Sequence, residues 1–478
     1  STSFRSLPES DNVSVILRGL WRYRLLWVLI LAVLVRLIIF FAFPSVFNFV
    51  ETGAIHGSDS YDAYAQNLLA TGIYGRTLGQ ADALIPPLYS YLLAGVYGLA
   101  GRGALQVALL HIVLDCFSIT FVYDIARRLL PRGDAVGTLT GLMYAFYPYL
   151  IFQNLTVIDT PFFMTLLYAF MWLMVLLRER EMFDARGWLI AIAGGLVLGL
   201  GMLTRPILPP FALLVGVWFL LRLNLWQTLA RLLPVALIGL LTLVPWIARN
   251  FEVYGAFVPM TVTSGSNLWQ GNSRYVIPYF RAGYDVQWTS PDPEEIDNLD
   301  PQSREADAKR FELALAFWRE NPDKLLELFG LKFLVHWSIE IAPRLNPTEG
   351  ELPRIDYLGN VVAETNDTGD LRLTDLPPGD PVGAYSQPLF DQLGRGVHLI
   401  YWGSLFVLGG IGIVLTVRRW RDVSLLWFVQ IAMTLVYVVF HPSTRYRVPT
   451  DPAWFIFSAA ALVSLYFWFR NRYARASR

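Results

Sequence analysis

The chain has 478 residues, of which 55% are hydrophobic and only 16% charged. A soluble protein carries roughly 25% charged residues, so lipid must cover much of this one's surface. Lys+Arg and Asp+Glu are equal at 38 each, which excludes the basic face that a nucleic-acid partner demands; the lone cysteine, Cys116, excludes an internal disulfide and a thiolate metal centre.

A membrane-spanning helix needs roughly 20 mainly apolar residues. Such runs occur near 25–44, 104–126, 135–153, 160–177, 188–204, 207–222, 232–248, 396–417, 424–440 and 453–470. The first lacks a small-residue cleavage site and reads as a retained helix, not a signal peptide. Arginine sets the orientation, because short cytoplasmic loops accumulate Lys and Arg. The clusters around Arg18–Arg24, Arg127–Arg132, Arg178–Arg186, Arg222–Arg231, Arg418–Arg421 and Arg470–Arg478 all fall on one side if the ten spans are right, and both termini are then cytoplasmic. The apolar stretch 84–100 would break that parity as a span. It is short, opens with Pro86-Pro87 and is rich in Tyr and Gly, which suits an interfacial or re-entrant helix.

The expected architecture is an all-α polytopic bundle of about ten transmembrane helices with a mixed extracytoplasmic domain. A cytoplasmic segment (1–24) leads into a transmembrane module (25–248) that includes a first external loop (45–103). An extracytoplasmic domain (249–395) follows, then C-terminal helices and a cytoplasmic tail (396–478). Within the domain, Phe311, Leu315 and Trp318 predict a helix over 303–319 that Asn321-Pro322 ends. Residues 325–342 predict an amphipathic helix lying on the membrane, and 343–395 read as loop with short strands.

On that topology Asp59, Asp62, Arg76, Asp159, Arg205, Arg249, Arg445 and Arg447 lie at or near outer helix ends. Arginines placed against the positive-inside tendency have another reason to be there, and carboxylates bordering hydrocarbon are costly unless paired or used. Two readings stand side by side. One is ion pairing among these groups and with lipid headgroups; the other is a site where carboxylates activate a nucleophile and guanidinium forks grip a phosphate. Asp159 before Thr160-Pro161 also fits a helix N-cap. His111 and Asp115, one helical turn apart within a span, predict a structural pair.

Seven local sequences then resemble one family in the right order. They are Gly57-Ser58-Asp59-Ser60-Tyr61-Asp62-Ala63-Tyr64 running on to Gly72, Pro86-Pro87-Leu88-Tyr89, Ala126-Arg127-Arg128 ending the second span, Tyr147-Pro148 followed by Thr156-Val157-Ile158-Asp159-Thr160-Pro161, Leu203-Thr204-Arg205-Pro206, Trp246-Ile247-Ala248-Arg249-Asn250 continuing to Asn272, and His441-Pro442-Ser443-Thr444-Arg445-Tyr446-Arg447-Val448-Pro449. Together they resemble the GT-C glycosyltransferases that include protein O-mannosyltransferases and lipid A aminoarabinose transferases. The resemblance covers about 25–275 and, less closely, 396–470; residues 276–395 match little. No Trp-Trp-Asp-Tyr-Gly segment is present, so the oligosaccharyltransferase branch is not supported.

The resemblance implies transfer of a sugar from a polyprenyl-phosphate donor to a protein or lipid acceptor hydroxyl at the outer face of the membrane, with inversion; the arginine-rich, lysine-poor composition points to a bacterial cytoplasmic membrane. It makes Asp59 the candidate base with Asp62 as the other register. Asp159 is a group that orients the acceptor or binds a cation. Arg205, Arg249 and Arg445 are candidates for the donor phosphate, with Arg447 and Tyr446 behind them. A divalent cation is a candidate cofactor, with His56 near Asp59 as a candidate ligand. The competing readings are an accessory subunit of a larger membrane complex and, third, a transporter, against which the one-sided placement of the polar residues and the lack of an inverted repeat count. The transferase reading requires Asp59, Asp159, Arg205 and Arg445 to converge at one end of the bundle.

Overall fold

The computed structural model describes residues 22–287, 294–344 and 388–476. Every one of the ten apolar stretches is helical. The helices are α1 (Arg24–Ala42), α2 (Asp59–Thr71), α3 (Leu88–Ala100), α4 (Ala104–Leu129), α5 (Gly133–Ala145), α6 (Pro148–Asn154), α7 (Thr160–Glu179), α8 (Ala185–Thr204), α9 (Pro209–Leu220), α10 (Leu225–Tyr254), α11 (Ser264–Gly271), α12 (Val276–Ala282), α13 (Arg304–Glu320), α14 (Leu325–His336), α15 (Pro388–Thr416), α16 (Trp420–Val439) and α17 (Asp451–Ala476). Among the described residues there is no β-strand. The strands expected within 343–395 fall almost wholly outside those residues.

The protein is a multi-pass membrane protein. Seven helical stretches are long and apolar enough to cross a bilayer, or eight if α5 and α6, bent by 60°, form one span. The difference from ten has three sources. The 135–153 stretch bends where Pro148 holds Tyr147 in extended backbone; the 207–222 stretch yields only the twelve residues of α9; and α15 and α16 count as one continuous stretch, Gln392–Val439, although a 3-10 turn at Val417–Arg419 separates them. As expected, α3 is short: thirteen residues at 1.5 Å each reach about 20 Å, less than the ~30 Å hydrocarbon layer.

The arginine clusters gather at one end of the bundle. Arg128 pairs with Glu179 at 2.6 Å, Arg222 with Asp422 at 2.6 Å, Arg178 donates to the Arg421 carbonyl at 2.8 Å, and Arg231 to the Arg180 carbonyl at 3.1 Å. Asp159, Arg205, Arg249 and Arg445 sit at the opposite helix ends.

Two devices hold the spans together. The first is a buried ion pair between α1 and α4, in which Arg36, fully buried, donates to Asp115 at 2.8 Å and to the Ala145 carbonyl at 2.9 Å. A charge at mid-membrane costs about 2.5–3.5 kcal/mol on insertion scales, so each of these two charges requires the other. His111 does not pair with Asp115 as the spacing suggested. It bonds Tyr89 at 2.8 Å and the Asn154 carbonyl at 3.1 Å, while Asp115 accepts from Arg36, Tyr144 and Asn154. The second device is close packing of α8 on α10. A Cβ on Gly199 would stand 2.4 Å from the Thr242 Cβ, so only glycine allows this approach.

Beyond α10, helices α11 to α14 form the polar module. Ser303 caps α13, accepting from the Ala306 N–H at 3.1 Å. In α14 Lys332 and His336 are buried together with Leu328, and Leu325, Leu331 and Val335 pack beside them, whereas Leu326, Phe333 and Leu334 are exposed; the helix of the sequence reading thus carries apolar side chains both inward and outward. Replacing Gly199 by leucine should wedge α8 from α10 and destabilise the bundle by about 1–3 kcal/mol, read as a lower melting temperature of the purified protein.

Candidate active site at one end of the bundle

The site begins where two spans end. Helix α8 stops at Thr204 because Pro206 drives Arg205 into extended backbone (φ −144°, ψ 117°), which turns its side chain across the bundle. Helix α7 opens with Asp159 in the preceding position and Pro161 inside the first turn, but the Asp159 carboxylate makes no capping hydrogen bond. It accepts instead from Arg205 Nε at 2.6 Å and Nη2 at 2.7 Å, and Nη2 also donates to Thr160 Oγ1 at 2.7 Å. The capping role is therefore set aside in favour of the ion pair. Burial alone would raise the Asp159 carboxyl; the Arg205 guanidinium overrides this and holds it below the usual carboxylate range.

A second guanidinium shares the same carboxylate. Arg445 Nη2 lies 3.7 Å from Asp159 Oδ1, with 27% of its side chain exposed. The Thr444–Arg447 turn presents it, and two contacts anchor that turn. Thr444 exchanges hydrogen bonds with Ala342, and Arg447, fully buried, bonds Asp451 at 3.1 Å and lies 4.1 Å over the Trp402 ring. Arg447 is thus an internal anchor, and Arg445 is the group shown to the site. Arg205 Nη1 and Arg445 Nε are buried and have no hydrogen-bond partner among the described residues.

The first loop closes over this pair. Gly57 meets the Val157 carbonyl where a Cβ would be only 2.1 Å away, and the Ser58 N–H donates to that carbonyl at 2.8 Å. Tyr61, one turn on, packs edge-on against Tyr89 at 4.9 Å, its hydroxyl beside Asp159. Asp59 stands at the rim. Its side chain is 79% exposed, with Arg76 at 3.9 Å. The other predicted residues are held outside the cluster. Asp62 is buried and accepts from Arg102 at 2.8 Å and Tyr97 at 2.8 Å. Arg249 binds the Tyr74 and Asp82 carbonyls at 2.6 and 2.7 Å, clamping the loop onto α10. His56 lies in a small cleft between the loop and residues 155–157.

Tyr446 stacks on Tyr437 at 4.7 Å and reaches Gln287 at 3.4 Å. Sequence reasoning missed Tyr437, which lies beside Arg205 and Asp159, and Tyr149 and Asp285, which lie in the field of Arg445. Asp285 follows α12 and is 8% exposed. Burial pushes its carboxyl up to about 6, against the opposing pull of the Gln287 N–H and Arg445. It lies in the stretch that matched no motif, and a lone acidic residue in a polar loop carries no signal of its own. His441 stays neutral: burial, then Lys332 and Arg445, push it down to about 3. Among the described residues no three His, Cys, Asp or Glu side chains gather as a metal set, and a cation at Asp159 would compete with two guanidiniums.

With this geometry in place, the comparisons with known proteins bear on it. Residues 85–248, about a third of the chain, match the family model described as dolichyl-phosphate-mannose-protein mannosyltransferase. No curated protein sequence matches. The archaeal oligosaccharyltransferase AglB from Archaeoglobus fulgidus, in complex with an inhibitory peptide and a dolichol-phosphate, superposes with a TM-score of 0.51 at 14% identity, over 96% of this chain and 52% of its own. An Archaeoglobus fulgidus oligosaccharyltransferase in complex with Zn and sulfate gives a TM-score of 0.50 at 14% identity, over 95% and 50%. ArnT from Cupriavidus metallidurans, bound to undecaprenyl phosphate, gives 0.39 at 17% identity, over 91% and 76%. The chain spans about half the length of the oligosaccharyltransferase, and at this identity the likeness is one of fold. The fold is that of the GT-C superfamily of membrane glycosyltransferases, as the motifs implied.

The buried pair and the exposed carboxylate respond differently to substitution. Asp159→Asn strands Arg205 and should cost about 3–5 kcal/mol of stability, whereas Asp59→Asn should leave the melting temperature unchanged; parallel thermal denaturation of the two purified variants measures both.

Proposed function

We propose that the chain transfers a sugar from a polyprenyl-phosphate donor to an acceptor hydroxyl of a protein or lipid, with inversion, at the extracytoplasmic face of a bacterial cytoplasmic membrane. One observation carries this reading: Arg205 and Arg445 share Asp159 at the end of a GT-C bundle, with donors left over and a tyrosine-lined wall beside them. The structure with a dolichol-phosphate and a peptide, though of another protein with about twice the length, is in keeping with a lipid-phosphate donor and a protein acceptor.

In the transfer the acceptor oxygen forms a bond to the anomeric carbon as the bond from that carbon to the phosphate oxygen breaks. The departing polyprenyl phosphate gains negative charge, which the Arg205 and Arg445 guanidiniums offset through charge-assisted hydrogen bonds. Asp159 holds both in place before substrate arrives, so little reorganisation is needed during the step. A single displacement from the face opposite the phosphate inverts the carbon. The acceptor proton passes to a carboxylate. Asp59, at the open rim, is reachable by an incoming acceptor, and Asp285 is its rival from the other wall. Arg249, Arg447 and Asp62 act through the loop and turn they fix.

The test is transfer of radiolabelled sugar from polyprenyl phosphate in membranes. Arg445→Gln should slow turnover by about 10²–10³-fold, as removing one transition-state donor does; wild-type rates in this variant would end the phosphate-binding role. A wild-type chain that transfers nothing from any lipid-phosphate sugar, yet co-purifies with other membrane subunits, would favour the accessory reading.

The pH profile assigns the base. Asp285 holds a proton below about 6 and releases it above, so if it accepts the acceptor's proton, activity rises with pH through 6. Asp285→Asn should then abolish that acid limb. A limb that persists in this variant, with Asp59→Asn inactive, places the proton on Asp59.

A further inference from the structure

At the arginine-rich end, far from Asp159, the C-terminus of α9 meets the turn between α15 and α16. Between them lies a cleft of about 520 Å³ lined by Arg222, Arg418, Arg419, Trp420, Arg421 and Asp422. Its one carboxylate is already engaged, since Asp422 takes a two-pronged pair from Arg222 at 2.9 and 2.6 Å, with Arg178 at 3.9 Å. Among the described residues Arg418, Arg419 and Arg421 have no carboxylate within ion-pair distance. Three exposed guanidiniums therefore face one volume without counter-charge.

The wall that carries them is built, not loose. Arg178, lying 3.8 Å over Trp218, donates to the Arg421 carbonyl at 2.8 Å, and Trp218 donates to the Asp422 carbonyl at 3.0 Å. Side chains from α7 and α9 thus fix the backbone of the first turn of α16, just after the α15–α16 turn. The residues that flank this lining in sequence supply an apolar rim: Val414, Leu415 and Val417 before Arg418, and Leu225 and Trp226 after Arg222, are all at least half exposed.

We propose that this cleft binds the phosphate of an anionic membrane lipid, with the acyl chains lying along the apolar rim. Guanidinium forks match phosphate oxygens in pairs, the volume is in the range of small-ligand sites, about 300–1,000 Å³, and Trp420 is the residue type that settles at headgroup depth. A soluble phosphate shares the headgroup chemistry but makes no use of the rim. The cleft is independent of the transfer reaction, and its test needs no activity.

The experiment is native mass spectrometry of the full chain released from micelles, titrated with phosphatidylglycerol, phosphatidylcholine or inorganic phosphate. Wild type should retain phosphatidylglycerol as a one-to-one adduct at least about tenfold more strongly than phosphatidylcholine, the discrimination of one well-placed charged contact. The triple variant Arg418→Gln, Arg419→Gln, Arg421→Gln should lose that preference while binding phosphatidylcholine as before. Its lipid-free melting temperature reports whether it folds, and if it does not, Arg419→Gln alone should give a partial loss. Equal phosphatidylglycerol retention by wild type and variants would overturn the proposal. So would competition by inorganic phosphate at matched concentration, which would mark a soluble-anion site.

Discussion

Two guanidiniums converge on one carboxylate at the junction of α7, α8 and the Thr444–Arg447 turn, and the site is organised around that convergence. Asp159 is almost wholly buried, and its first partner, Arg205, is nearly as enclosed. Alone, neither charge is tolerable at the edge of hydrocarbon. Paired, they stay enclosed, while the second guanidinium on the same carboxylate, Arg445, keeps 27% of its side chain exposed, so the contact that stabilises the junction also positions one partly open cation beside it.

The surrounding elements hold that geometry from three directions. Pro206 and Pro161 set the backbone on either side of the pair. Arg447 locks the last turn through Asp451, which Tyr147 also bonds at 2.7 Å. Arg249 ties the first loop to α10, so Tyr61 and Asp59 arrive at the rim in a defined position. Arginine thus plays two parts here. Fully enclosed residues such as Arg36 and Arg447 fasten helices, and half-enclosed ones such as Arg445 present charge.

The two ends of the bundle are electrostatically unlike. At the Asp159 end Arg205, Arg249 and Arg447 each have a buried carboxylate or specific backbone carbonyls as partners. At the other end the cations outnumber nearby carboxylates and several stand in solvent, beside exposed aliphatic side chains. Preorganised chemistry suits the first arrangement and headgroup contact the second, and the distinction follows from burial, not from residue type.

The pattern of apolar runs and arginine clusters was by itself sufficient to locate the apolar helical stretches among the described residues and to sort the clusters onto one end, because hydrophobic length and loop charge are local properties, though not to show that 135–153 breaks into two helices. It also singled out Asp159, Arg205 and Arg445, since charges beside hydrocarbon are conspicuous in a one-dimensional record. Partner choice was not local. Asp115 chose Arg36 over His111, Asp62 turned to Arg102, Arg249 and Arg447 turned inward to backbone carbonyls and Asp451, and Asp285 entered the site from a loop with no pattern. Those outcomes depend on which helix faces touch across tens or hundreds of residues, and only the packed tertiary structure brings such groups within hydrogen-bonding distance.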